Sequence, residues 1–112
     1  MKHRLIVAAA AVVALPVLAL AQHQGHGAMS GSDHAYMEAH KKMMDNMTAQ
    51  PTGNSDRDFA TMMIPHHQGA IDMARVQLQH GKDPALLRLA RKIIDDQERE
   101  IAQLRAWQQK SR

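Results

Sequence analysis

Cysteine is absent from this sequence of 112 residues, so disulfide bonds cannot stabilise the fold. Aromatic residues are almost as rare, since only Tyr36, Phe59 and Trp107 occur. Apart from a few residues at the N-terminus, no basic run or aromatic platform suggests binding to nucleic acid. Strand patterns and internal repeats are also lacking, which leaves one small helical domain.

Motifs of the common enzyme classes are missing as well. The sequence has no H-E-x-x-H, no nucleophile elbow, no glycine-rich phosphate loop and no E-x-x-H pair. No nucleophile can be matched with a base. We therefore expect that the protein is not an enzyme, and a metal-dependent redox enzyme is the least supported alternative.

The N-terminus has the pattern of a cleaved signal peptide. A short basic start precedes the apolar run from Leu5 to Leu20, and Ala19-Leu20-Ala21 is a small-x-small cleavage site. Cleavage after Ala21 would remove 21 residues, leave 91, and lower the formal net charge from +3 to +1 by removing two basic residues. We expect a periplasmic or secreted protein without a retained membrane span.

The residues that follow predict a flexible arm and a first helix. The segment 22–32 is rich in Gly, Ser and His and lacks apolar periodicity, which is typical of a flexible arm. Ser32 or Asp33 can cap a helix that runs to about Ala49, before Pro51 and Gly53. The helical domain is therefore predicted over residues 33–112.

Two longer helices are predicted next. Ser55 and Asp58 resemble a capping box at the start of helix two, which should end near His80 with Gly81 as a left-handed stop. Asp83 and Pro84 supply the cap and first residue of helix three, which should reach about Gln108. The linker 81–83 is so short that these helices must be antiparallel, which predicts an all-α, small antiparallel helical bundle.

Helix two is apolar over more than half of its circumference. One stripe holds Ala60, Ile64, His67, Ile71 and Leu78, and the other holds Phe59, Met62, His66, Ala70 and Met73. Pro65 faces outward, so a bend at this proline should wrap the inward residues around a centre that contains His66 and His67. Helix three has one apolar stripe: Leu86, Leu89, Ala90, Ile93, Ile94, Ile101, Leu104 and Trp107.

Helix one has no Leu, Ile or Val, and its inward face is methionine-rich and histidine-rich. Thioether sulfur is a soft donor that suits Cu(I) and Ag(I), and imidazole also binds copper. The predicted ligands from both helices are His40, Met43, Met44, Met47, Met62, Met63, His66, His67 and Met73. The arm offers accessory donors in His23, His26, Met29 and His34.

Each of these residues also has a purely structural interpretation. A methionine stripe often fills a core, and the histidines of the arm can simply be solvated. His66 and His67 need not bind one ion, since one can be a core histidine satisfied by Gln97 or Glu100. Asp72 can be a surface charge, and Gly69 either permits close helix approach or is a tolerated irregularity.

The segment from Asp58 to Trp107, with the core M-I-P-H-H-Q-x-A-I-x-M-A, resembles the domain of unknown function 305 family. That family includes CopM-like periplasmic copper-binding proteins. The resemblance implies a ferritin-like bundle that binds copper or silver, and a four-helix arrangement would need the N-terminal arm or a homodimer. It also implies that Gln68, Asp72, Gln97 and Glu100 are polar residues that support the metal ligands.

The leading hypothesis is an exported protein that sequesters Cu(I), or Ag(I), through Met and His and contributes to metal tolerance. It would hand the ion on to a copper export or delivery protein. The alternative is a non-catalytic helical interaction module whose Met-rich face docks a protein partner.

Overall fold

The computed structural model describes residues 27–112, which form three α-helices: α1 (Gly31–Asn46), α2 (Ser55–His80) and α3 (Pro84–Lys110). No strand occurs within this part of the chain, so the predicted all-α fold is confirmed. None of these helices is long and apolar enough to cross a membrane. The predicted signal peptide and the start of the arm, with His23 and His26, lie outside the described residues.

Helix α1 begins with a capping box that lies earlier than predicted. The hydroxyl of Ser30 accepts a hydrogen bond from the backbone N–H of Asp33 at 3.2 Å, and the Asp33 carboxylate accepts one from Ser30 N–H at 2.8 Å. Gly31 and Ser32 therefore belong to α1 and not to the arm. The helix also ends three residues early, because Met47 leaves the helical conformation as the chain approaches Pro51.

Helix α2 is capped by Asn54, whose side chain accepts from the N–H of Arg57 at 3.0 Å. The predicted capping box of Ser55 and Asp58 is wrong. The Asp58 carboxylate instead accepts hydrogen bonds from the backbone N–H and the hydroxyl of Thr52, at 2.9 and 2.7 Å. This carboxylate therefore holds the preceding turn, in which Gly53 has a positive φ of 85°, against the start of α2.

The connection between α2 and α3 confirms the predicted antiparallel pair. Asp83 caps α3 by accepting from the N–H groups of Ala85 and Leu86 at 2.9 and 3.0 Å, with Pro84 as the first helical residue. Gly81 ends α2 in an extended conformation, with φ at −74°, and not in the predicted left-handed one. Glycine suits this position because a Cβ would lie 2.6 Å from the carbonyl oxygen of Gln77.

Helix α2 is the central helix, with α1 packed on it from one side and α3 from the other. Its Ala60, His67, Ile71 and Ala74 are buried on the α3 side, where Ala90 and Ile101 of α3 are also buried. The α1 side is marked by Gly69, and on α1 itself only Ala39 is buried. The α2–α3 contact is therefore an aliphatic core, whereas α1 docks through few apolar residues.

The predicted apolar stripe of α3 is only partly covered. Leu86, Leu89 and Trp107 are exposed, with 51%, 49% and 39% of their surface accessible. Leu86 and Leu89 border an open groove that also touches Tyr36 of α1 and Met73 of α2. The helix wheel identified an apolar face correctly, but three helices leave one flank of it uncovered within the described residues.

The hydrogen bonds from Thr52 hold the pKa of Asp58 below its usual value of 3.8. A carboxylate with a lowered pKa stabilises the fold above the pKa it has when unfolded, and this contribution is lost as the pH falls through the folded-state pKa. The wild type should therefore have a higher thermal midpoint than Asp58→Asn at neutral pH. The difference should shrink below about pH 4. Thermal unfolding followed by circular dichroism checks this, and a difference that does not change with pH would contradict it.

Candidate metal site

Helix α1 comes close to α2 where the side chain of Met43 lies on Gly69. A Cβ added at Gly69 would lie 2.6 Å from Cγ and 2.9 Å from Cβ of Met43, and closer still to its sulfur. The methionine side chain therefore fills the space that any other residue at position 69 would need. Of the two interpretations of this glycine, close helix approach is confirmed.

Two further potential donors lie on α2, one turn to either side of Gly69. His66 precedes Gly69 by three residues and Met73 follows it by four, so both lie on the same face of α2, one turn to either side. Neighbours at these spacings have Cβ atoms about 5–6 Å apart. Met73 is half-buried and His66 is exposed. We call Met43, His66 and Met73 the Met43 site.

Polar contacts hold α1 in this position. Lys42 forms an ion pair with Asp72 at 3.1 Å, and the hydroxyl of Tyr36 donates to the amide oxygen of Gln77 at 3.1 Å. Asp72 is not a surface charge, because its side chain is only 14% exposed and also accepts from the Gln68 amide at 3.2 Å. Asp72 thus holds α1 on α2 through Lys42, and Gln68 orients the Asp72 carboxylate. Sequence reasoning missed Lys42, whose spacing gave no sign of a partner on another helix.

His67 faces α3. It is buried, with 7% of its surface accessible, and its Nε2 is hydrogen-bonded to the carboxylate of Glu100 on α3. The prediction of a core histidine satisfied by Gln97 or Glu100 is confirmed for His67 with Glu100, while Gln97 is half-buried nearby on α3. Its Nδ1 is also buried and has no hydrogen-bond partner within the described residues.

His66 does not occupy the inward position that the helix wheel predicted, since it is exposed to solvent. Helix α1 contacts α2 at Gly69, Asp72 and Gln77, and none of these contacts involves His66. The two adjacent rings lie 6.1 Å apart between their centroids and are tilted by 58°, and His67 is the one that is hydrogen-bonded to α3. Pro65 is half-buried, and α2 continues through it as one helix.

The other predicted ligands are divided between two environments. Met62 and Met63 on α2 are half-buried. The exposed ones are His40 and Met44 within α1, Met47 at its C-cap, and Met29 and His34 near its start. Residues 27–112 contain no group of three or more His, Asp or Glu side chains that could hold a metal.

The contact between His67 and Glu100 should stabilise the α2–α3 pair. Glu100→Ala leaves a buried imidazole nitrogen without its partner, and we expect a loss of about 1–2 kcal/mol in the free energy of unfolding. Glu98→Ala is the matched control, because Glu98 is exposed and lies 3.9 Å from Arg75. That change should stay within about 0.5 kcal/mol. Urea unfolding of both variants measures the difference, and equal losses would contradict the assignment.

The fit of Met43 on Gly69 makes a second prediction about stability. Overpacking costs about 1–3 kcal/mol, whereas alanine gains about 1 kcal/mol over glycine in a helix, so Gly69→Ala should be destabilising by about 1 kcal/mol. Gly31→Ala is the control, since a Cβ there would lie at an ordinary 3.7 Å from the ring of His80. Urea unfolding should show a loss for Gly69→Ala alone. A stabilised Gly69→Ala variant would contradict the close contact.

Comparison with known proteins agrees with the signature in helices two and three. The chain matches the family DUF305, domain of unknown function, over residues 7–108. A search of curated proteins gives no match. The match covers most of the sequence and includes all three residues of the Met43 site. The chain therefore belongs to the DUF305 family, the domain of unknown function 305.

Proposed function

We propose that this protein binds Cu(I), with Ag(I) as an alternative cargo, through Met43, Met73 and His66. It acts by equilibrium binding, without chemical turnover, and either sequesters the ion or hands it on, which contributes to metal tolerance. The observation that carries this proposal is the sulfur of Met43 against Gly69, because His66 and Met73 lie one turn of α2 to either side of that glycine. The N-terminal pattern of a signal peptide supports a periplasmic or secreted location.

The chemistry of these donors favours a soft monovalent ion. Two thioethers and an imidazole are neutral, and thioether sulfur prefers Cu(I) to the hard divalent ions. The nearest carboxylate, Asp72, is already paired with Lys42 and accepts from the amide of Gln68. A divalent ion would therefore gain little compensation for its charge at this position.

The position of His66 supports exchange of the ion with other molecules. Its imidazole is exposed while Met43 and Met73 are half-buried, so an ion could enter from solvent on the histidine side. His40 and Met44 on the exposed part of α1 offer additional donors for transfer to a copper export or delivery protein. We assign His67 to the packing of α2 on α3, because Glu100 already holds its Nε2.

The test is a competition between the protein and a chromogenic Cu(I) chelator under anaerobic conditions. Met43→Leu and Met73→Leu preserve apolar volume but remove the sulfur, and His66→Ala removes the imidazole. Each should weaken Cu(I) binding by about tenfold or more. Met37→Leu is the matched control, since Met37 lies on α1 but is 60% exposed and away from Gly69.

Two outcomes would overturn the proposal. If the wild type does not compete with the chelator for Cu(I) at all, the proposed copper-binding function is wrong. If the wild type and Met43→Leu bind Cu(I) with equal affinity, the assignment of binding to the Met43 site is wrong, even if the protein binds copper elsewhere.

The alternative function is a helical interaction module, which is favoured by the exposed Met37 and Met44 on α1. Methionine is common on surfaces that adapt to several partners. Replacing Met43, Met44 and Met47 together with Leu separates the two functions. Cu(I) binding should collapse if the protein is a metal carrier, whereas docking of a partner and the fold should largely survive if it is an interaction module.

A further inference from the structure

The methionines of α1 lie in two very different environments. Met37 and Met44 are 60% and 53% exposed. They are seven residues apart, so they lie on the same side of the helix, two turns from each other. Met43 is half-buried, and its side chain fills the space above Gly69. Oxidants in solution thus reach two sulfurs of this helix more readily than the third.

We propose that Met37 and Met44 are sites of reversible oxidation to methionine sulfoxide by hydrogen peroxide and related peroxides, while Gly69 shields Met43 from the same reaction. This proposal goes beyond metal binding and does not depend on it. Oxidation of thioethers follows exposure, and methionine sulfoxide reductases reverse it.

The reaction needs only the peroxide as co-reactant. A lone pair on the thioether sulfur attacks one oxygen of hydrogen peroxide, the S–O bond forms and the O–O bond breaks. The sulfur loses two electrons. The leaving hydroxide takes up the proton from the oxygen that is now bonded to sulfur and becomes water. Each methionine thus consumes one peroxide and gains one oxygen atom.

The consequences differ between the two environments. A sulfoxide at Met37 or Met44 projects into water and disturbs no packing, because most of each side chain is already exposed. At Met43 the added oxygen would have to fit against the backbone of Gly69, where even a Cβ has no room. Since Ala39 is the only buried residue of α1, oxidation of Met43 should release this helix from α2. The outer methionines can therefore react while α1 stays docked.

The order of oxidation tests the proposal directly. The metal-free protein is treated with increasing hydrogen peroxide, and the added oxygen is located at each methionine by peptide mapping with mass spectrometry. Met37 and Met44 should react about fivefold faster than Met43. In guanidinium chloride the three rates should become equal, because the fold alone creates the difference. Similar rates for Met43 and Met37 in the folded protein would overturn the proposal.

Gly69→Ala examines the shielding itself. The new Cβ displaces the Met43 side chain, so the oxidation rate of Met43 should rise toward that of Met37, with Met37 and Met44 unchanged. Gly31→Ala should leave all three rates as in the wild type. A Met43 that stays slow in folded Gly69→Ala would show that Gly69 does not shield it. If circular dichroism shows that this variant is unfolded, the order of rates in the wild type decides alone.

Discussion

The contact of Met43 with Gly69 is the constraint on which the position of α1 depends. A helix without Leu, Ile or Val has little aliphatic surface to bury, and Ala39 is its only buried residue. It can dock only by coming very close to α2, where a flexible thioether makes many dispersion contacts. The glycine makes this approach possible, and the Lys42–Asp72 ion pair fixes the register.

The same arrangement explains why α2 has two kinds of interface. Toward α3 it presents small and aliphatic residues, with His67 as a polar exception that Glu100 satisfies. Toward α1 it presents Gly69, which receives Met43, and the carboxylate of Asp72, which is paired with Lys42. Successive residues on a helix point about 100° apart, so the adjacent residues His66 and His67 can serve different interfaces. In the structure His67 is buried against α3 while His66 is exposed, although their ring centroids are only 6.1 Å apart.

The sequence predicted what depends on local chemistry. Asp83 and Pro84 fix the start of α3 through their own backbone preferences, and the short linker then forces an antiparallel pair. The N-terminal caps of α1 and α2 could not be predicted from residue spacing alone, because Ser30–Asp33 and Ser55–Asp58 have the same spacing. Only Ser30 and Asp33 form a capping box. Asp58 cannot, because its carboxylate accepts hydrogen bonds from Thr52.

The exposure of site residues depends on which part of an apolar helix its neighbours cover, and this is not encoded in any one helix. The wheel of α2 shows a wide apolar face but not that α1 covers only the stripe around Gly69. The wheel therefore predicts that His66 faces inward and that Leu86 and Leu89 are buried, whereas all three are exposed. Gly69 was the sequence signal closest to the site, since a glycine inside a long helix often marks a close approach.

Weak docking of α1 also has a consequence for the proposed metal binding. An ion held by Met43 of α1 and Met73 of α2 would link two helices that otherwise share few buried contacts. A ligand that binds only the docked arrangement stabilises it, and part of its binding free energy is spent on ordering α1. The affinity for the ion would therefore be lower than the same donors would give in a rigid core. Release is correspondingly easier, which suits a protein that holds an ion and then gives it up.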